Sequence, residues 1–319
     1  MSGGFQSKSF KILLLFFLAF TFHTNIVWAK IDRIDEKELT LEQKLIDSNI
    51  AVSKWFESMA EGIDLFLVDK QIQTGRNQTN VKIENSTYSV EGQNLTNETS
   101  LIINPRFPNL EKYWNLKFTT YDEQEDGRGA SKTYLRQAPR QKNYGATVGL
   151  FKKFGEIRTA FQPRIELQDP LNVSHSLAFE TVAEMERYKI NPRLEFFASA
   201  LKGTGIFQAI NFNFTLNQIY SLTLINEGTY IEKLHRYSVS NGISLGQGIS
   251  QNDAVSYSFF VFSNNRDNYH LDSYSLAVSW YHVVYKKILD FQLTPHLDFS
   301  RDRGFAGLGG ATFQVTINF

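Results

Sequence analysis

Polar and apolar residues alternate with a period of two in many segments of this chain, from about residue 78 to its end. In Leu289–Ser300, every odd-numbered residue is apolar and every even-numbered residue is polar. Successive side chains of a β-strand point to opposite faces, so such a segment has one apolar face and one polar face. The same period recurs in segment after segment, and it predicts an all-β chain in place of a helical one.

Two architectures produce this alternation: a soluble sandwich with its apolar faces inside, and a membrane barrel with its apolar faces outside. The predicted strands run about 10–14 residues, whereas sandwich strands usually have about 5–6. The polar face is small and rich in hydroxyl groups, as a lumen would be. The chain also ends in Phe319 on the apolar face, which resembles the C-terminal signal that the barrel-assembly machinery reads. We therefore predict a transmembrane antiparallel up-and-down β-barrel.

Fourteen candidate strands can be placed in residues 78–319, and an even number puts both ends of a bacterial barrel on the periplasmic side. Alternate connections are short, including a turn predicted at Asn191-Pro192, while 122–142 and 264–271 are the longest of the others. The alternative is twelve strands, with residues 78–107 partly outside the wall.

The first 77 residues have a different pattern of polar and apolar residues. Lys8 and Lys11 precede an apolar stretch that ends near Phe22, which predicts a cleaved signal peptide over 1–29. Residues 30–77 are predicted to be a periplasmic helical segment. Its apolar stripe needs a partner: the end of the chain's own barrel, which we favour, the lipid surface, or a second copy of the chain. The stripe, through which a homo-oligomer could form, comprises Val52, Phe56, Met59, Ile63 and Phe66.

Composition narrows the functional classes. The 33 basic and 33 acidic residues cancel, which argues against a nucleic-acid binder, and the absence of Cys excludes a thiol nucleophile and a Cys-based zinc site. Ser240-Asn241-Gly242 matches part of the His-x-Ser-Asn-Gly signature of outer-membrane phospholipases, but Ser238 occupies the position of the general base. We predict no catalytic residues, no metal site and no cofactor.

Charged residues on the polar face are the candidate site. They would line an aqueous passage, or they would form cross-strand ion pairs that satisfy a polar wall, which is the interpretation we favour. Hairpin counting places Arg158 and Arg164 near Glu184 and Glu180. The predicted pore-lining residues are Lys117, Arg158, Arg164, Glu166, Glu180, Glu184, Arg193, Glu195, Asp290, His296 and Asp298.

The longest connection, 122–142, is acidic in its first part and basic in its second. Such a segment could fold into the pore as a constriction, contact lipopolysaccharide phosphates, or remain a solvated outer loop. We favour the solvated outer loop.

Three segments carry a resemblance: Trp55 to Leu67, Pro105 to Leu110, and Tyr285 to Phe319 with its Thr294-Pro295. With them the chain resembles a family of uncharacterised proteobacterial outer-membrane β-barrel proteins that have an N-terminal helical segment. The resemblance implies an outer-membrane location and the topology of a barrel, and it supplies no catalytic or substrate residues. The expected partners are outer-membrane lipid and lipopolysaccharide. We expect a passive channel for small polar solutes; the alternative is a non-conducting envelope scaffold or interaction protein.

Overall fold

The computed structural model describes residues 43–44, 46–55, 57, 79–105, 114–167, 171–266, 268–286 and 288–319. The predicted signal peptide lies outside them, as do Phe56, Met59, Ile63 and Phe66. The strands are β1 (Asn80–Val90), β2 (Thr96–Asn104), β3 (Trp114–Tyr121), β4 (Lys142–Phe154), β5 (Ile157–Glu166), β6 (Asn172–Glu180, resuming at Ala183–Glu184), β7 (Tyr188–Ser199), β8 (Gly203–Thr215), β9 (Tyr220–Ile231), β10 (Arg236–Gly248), β11 (Asp253–Asn264), β12 (His270–Tyr285), β13 (Leu289–Ser300) and β14 (Gly307–Asn318).

These strands form a closed antiparallel barrel of fourteen strands. Each strand pairs with the next along the chain, and β1 closes the barrel on β14, from Lys82 opposite Asn318 to Val90 opposite Gly310. The prediction of fourteen strands is confirmed. The twelve-strand alternative is wrong, because β1 and β2 pair with each other over nine residues and belong to the wall.

The predicted turn at Asn191-Pro192 is wrong. Both residues lie within β7, and the chain turns earlier, where the amide of Met185 donates to the carbonyl of Tyr188 at 2.9 Å. Proline has no amide hydrogen, so the strand beside it cannot keep a full hydrogen-bond ladder. β6 is interrupted at this level and keeps one bond, from the amide of Thr181 to the carbonyl of Pro192 at 3.2 Å.

The apolar rows face outward. In β13, Leu297 is 48% exposed, while the neighbouring Thr294 and His296 are 0% and 5% exposed. An exterior of exposed Leu, Ile, Val and Phe rows around a polar interior is the arrangement that a barrel needs in hydrocarbon. The predicted transmembrane β-barrel, apolar outside and polar inside, is therefore confirmed.

β3 is short, and it determines where the next connection goes. It pairs with β2 at Ile102 and Ile103 among the described residues. At its far end the register with β4 shifts between Thr119 and Tyr121, which marks an irregularity in the ladder. The chain leaves the wall directly after Tyr121.

A short helix, α1, spans residues 46–55. The Asn49 side chain donates to the carbonyl of Asn318 at 2.6 Å, so α1 contacts the end of β14. Of the predicted stripe, Val52 alone lies among the described residues, so the partner of the stripe stays a prediction. In the described part of the chain, no helix has the length and apolarity needed to cross a membrane.

Candidate functional site

The connection between β3 and β4, residues 122–141, folds into the barrel, and we call it the lumen loop. It contains α2 (Glu123–Asp126) and α3 (Ala130–Leu135). The Asp122 side chain caps α2 by accepting from the amides of Gln124 and Glu125. The favoured prediction of a solvated outer loop is wrong: the loop packs on the inner wall, as the alternative of a pore constriction required.

An apolar seat on the inner wall holds α3. Leu135 is 1% exposed and clusters with Ile225, Phe260 and Ala277, which come from β9, β11 and β12. Full burial of a leucine side chain contributes about 1.5–3 kcal/mol. The hydrophobic effect therefore draws the loop into a lumen whose remaining surface is mostly polar.

Polar contacts fix the residues that follow α3. The Arg136 guanidinium donates to the Gln314 side chain, and the Thr312 hydroxyl donates to the carbonyl of Arg136. The Gln137 amide donates to the Ser275 hydroxyl at 2.8 Å. Arg136 has a left-handed backbone (φ 44°), which is unfavourable for a residue other than glycine and persists only where its surroundings hold it.

The rest of the loop neutralises carboxylates of the wall. Arg128 donates to Glu195 at 2.8 Å, and the amide of Ala130 donates to Glu227 at 2.7 Å. Arg140 donates to Glu84 of β1 and, at 2.9 Å, to Asp126 of the loop itself. Glu84, Glu195 and Glu227 are all buried. Because a buried carboxylate is costly unless it is paired, removal of the loop would take one partner from each group, leaving Glu84 with Lys82, Glu195 with Arg193 and Glu227 with Asn211.

Between the loop and the wall remains a cavity of about 420 Å³. Both signs of charge line it, together with two tyrosines from the wall. Its lining includes Tyr88, Tyr121, Glu125, Asp126, Lys132, Arg136 and Arg140. The cavity is therefore polar, with acidic and basic side chains on its lining.

The predicted pore-lining residues lie on the inward rows, at different depths. Arg164, Glu166, Glu195, Asp290 and His296 are buried. Lys117, Glu180, Arg193 and Asp298 are partly exposed, and Arg158 and Glu184 are exposed on the inner side. His296 contacts Asp298 at 2.8 Å. Whether these residues line a conducting path stays a prediction. Sequence reasoning missed Glu84 and Glu227, although both lie on the polar rows of predicted strands.

Ion pairing follows a register different from the one expected. Arg158 pairs with Glu180 at 2.9 Å, and Glu184 pairs with Lys189 at 2.6 Å. Arg164 donates instead to the Thr119 hydroxyl at 2.7 Å and to the carbonyls of the loop-flanking residues Tyr121 and Asn143 at 3.0 and 2.7 Å. It therefore fastens the two points at which the lumen loop leaves and rejoins the wall.

Two other kinds of site concern the described residues, a metal centre and the partial phospholipase motif at Ser240. They contain no group of three or more His, Asp or Glu side chains that could hold a metal ion. The Ser240 hydroxyl is buried and has no hydrogen-bond partner among them, so no base contacts it.

No protein-family model matches the sequence, and no curated protein is similar to it in sequence. Solved structures resemble the barrel. They include outer-membrane expressed OmpT of Vibrio cholerae (TM-score 0.48, 6% identity, 78% of this chain and 99% of that chain). Also similar is the outer membrane channel DcaP of Acinetobacter baumannii (TM-score 0.46, 8% identity, 78% of this chain and 99% of that chain). A third is OccK5 of Pseudomonas aeruginosa (TM-score 0.44, 8% identity, 76% of this chain and 98% of that chain). Similarity at this level carries no argument about function.

Proposed function

We propose that this protein is an outer-membrane channel for small polar solutes, without catalytic activity, in which the lumen loop forms the constriction. The observation that carries the proposal is the loop itself, seated on Ile225, Phe260 and Ala277 inside a polar lumen. A fourteen-stranded barrel has more interior than its own side chains fill, on the trend from filled barrels of about eight strands to open ones of about sixteen. Diffusion past a segment folded inward is then the mechanism, and the charges around the loop select the solute.

A closed scaffold is the second candidate, and one observation favours it. Arg164, Glu195 and Thr294 lie on inward rows of three different strands and are 0% exposed. Water does not reach these side chains, which is the condition expected of a filled interior. The two candidates differ in whether any path remains beside the loop.

Planar-bilayer recording separates them. The refolded wild-type protein is compared with a variant in which residues 123–140 are replaced by a short Gly-Ser linker. A channel gives a small ion current in the wild type and a larger one in the variant. If neither protein carries current above background, although both show the heat-modifiable gel shift of a folded barrel, the channel proposal is refuted and the scaffold remains.

Location and partners are part of the proposal. Export through a cleaved signal over 1–29, assembly through the terminal Phe319, and contact with lipid and lipopolysaccharide follow from an outer-membrane barrel. A homo-oligomer through the stripe that begins at Val52 is a separate proposal, and crosslinking from Trp55 would test it.

A further inference from the structure

Three neighbouring strands carry an amide side chain among the apolar residues of their lipid-facing rows. They are Gln208 on β8, Asn226 on β9 and Asn241 on β10, and all three are exposed. Asn226 is directly opposite Asn241, and Gln208 is opposite Gly228, two residues further along β9. We call these three residues the amide cluster.

The amide cluster lies within the apolar rows, away from their ends. On β8 the outward neighbours of Gln208 are Ile206 and Ile210, and on β10 those of Asn241 are Val239 and Ile243. Hydrocarbon offers no hydrogen bonds, so an amide at this depth is costly unless protein satisfies it.

The wall satisfies the amide cluster only in part. The Gln208 amide donates to the Tyr237 hydroxyl at 2.6 Å. Tyr237 reaches it across Gly228, where a Cβ would come within 2.5 Å of the tyrosine oxygen. The Asn226 amide reaches one backbone carbonyl at 3.4 Å, and the Asn241 side chain has no hydrogen-bond partner among the described residues. Donors and acceptors therefore remain available to a partner.

A second polar group on the outside shows what a self-sufficient arrangement looks like. Asn85 on β1 and Asn97 on β2 exchange amide-to-carbonyl hydrogen bonds in both directions, each at 3.0 Å. Their remaining amide hydrogens reach Thr99 and Thr87, both at 2.8 Å. This group needs no partner, and it serves as a control for the amide cluster.

We propose that the amide cluster is the contact surface of a two-fold homodimer of this chain within the membrane. A primary amide carries both donors and an acceptor, so it is its own complement. A two-fold axis near β9 would place Asn226 and Asn241 of one copy against the same residues of the other, which is the geometry of an isologous interface. Acyl chains cannot supply these hydrogen bonds. The three amides themselves line a groove of about 530 Å³, together with the apolar Pro192 and Ile210 and the charged Glu180 and Arg193, so a second copy has space to approach them.

Single-cysteine crosslinking tests the proposal, because the chain contains no Cys of its own. Asn241→Cys and the control Asn85→Cys are reconstituted in lipid vesicles and treated with a short bis-maleimide. We expect a crosslinked dimer for Asn241→Cys and only monomer for Asn85→Cys. Monomer in both variants, or equal dimer in both, would overturn the proposal.

A mass-action measurement keeps the test independent of crosslinker reach. The fraction of dimers is measured by counting the photobleaching steps of labelled protein in bilayers. It is compared between the double variant Asn226→Leu/Asn241→Leu and the control double variant Asn85→Leu/Asn97→Leu. The heat-modifiable gel shift shows that both variants fold. We expect the first double variant to weaken dimerisation about three- to thirtyfold, which is the range of factors that hydrogen bonds between chains contribute in membranes. A wild-type monomer that retains a tightly bound lipid, lost from the first variant alone, would refute the homodimer.

Discussion

Truncation of one leucine inside the lumen should loosen the constriction. Leu135 is almost fully buried against Ile225, Phe260 and Ala277. Replacement of a buried leucine by alanine costs about 2–5 kcal/mol through lost transfer energy and the cavity left behind. Each 1.4 kcal/mol is a factor of ten in an equilibrium, so about 2 kcal/mol already lowers the ratio of docked to undocked loop about 30-fold.

Single-channel recording measures this shift. Leu135→Ala should show frequent openings to the conductance of the loop-replaced variant, whereas the wild type should rarely reach that level. The matched control is Leu276→Ala, which removes the same atoms from an outward side chain that is 45% exposed, one residue before Ala277. If Leu135→Ala and Leu276→Ala give indistinguishable records, the loop is not held by this seat and the reasoning fails.

Two further predictions concern the anchoring of the loop. Arg164→Met should lower the temperature at which the heat-modifiable gel shift occurs more than Arg158→Met does. Each hydrogen bond of the buried Arg164 guanidinium contributes about 1.5–3 kcal/mol, whereas the exposed ion pair of Arg158 contributes only about 0–1 kcal/mol. Equal decreases in the two variants would contradict this. Burial opposes the charged form of Glu125, but the hydrogen bond and charge of Lys202 outweigh it and lower its pKa. Because its pKa is lowered, the Glu125 carboxylate stabilises the docked loop at pH values above the ordinary pKa of a glutamate, and this stabilisation is lost as the pH falls through the lowered pKa. The frequency of channel opening should therefore rise on acidification. It should rise less in Glu125→Gln, which has no carboxyl group to titrate at this position.

The lipid-facing and lumen-facing sides of the strands, and the number of strands, were predictable because alternation is a local property. In Leu289–Ser300 the residue type alone decides which side chains meet lipid, whatever the rest of the chain does. The prediction failed at Asn191-Pro192, where a dipeptide typical of turns lies in a strand. That strand tolerates the missing amide hydrogen because its neighbour is interrupted at the same level.

The position of the lumen loop could not be predicted from residues 122–142 alone. Its seat exists only after β9, β10, β11 and β12 have assembled into the wall, which is a tertiary property. The sequence did carry a trace of it: Ile225, Phe260 and Phe262 occupy positions of the inward row where polar residues are the rule. Apolar residues on the lumen side of a barrel strand indicate that something apolar covers them.

The most direct test of the account joins the loop to the wall covalently. Gln137→Cys is combined with Ser275→Cys, which faces the lumen, or with Leu276→Cys, its outward neighbour, and each double variant is exposed to a short bis-maleimide in membranes. The structure places the Gln137 amide 2.8 Å from the Ser275 hydroxyl. We predict an internal crosslink for the first pair and none for the second; a crosslink through position 276, or none in either variant, would contradict both the face assignment and the place of the loop.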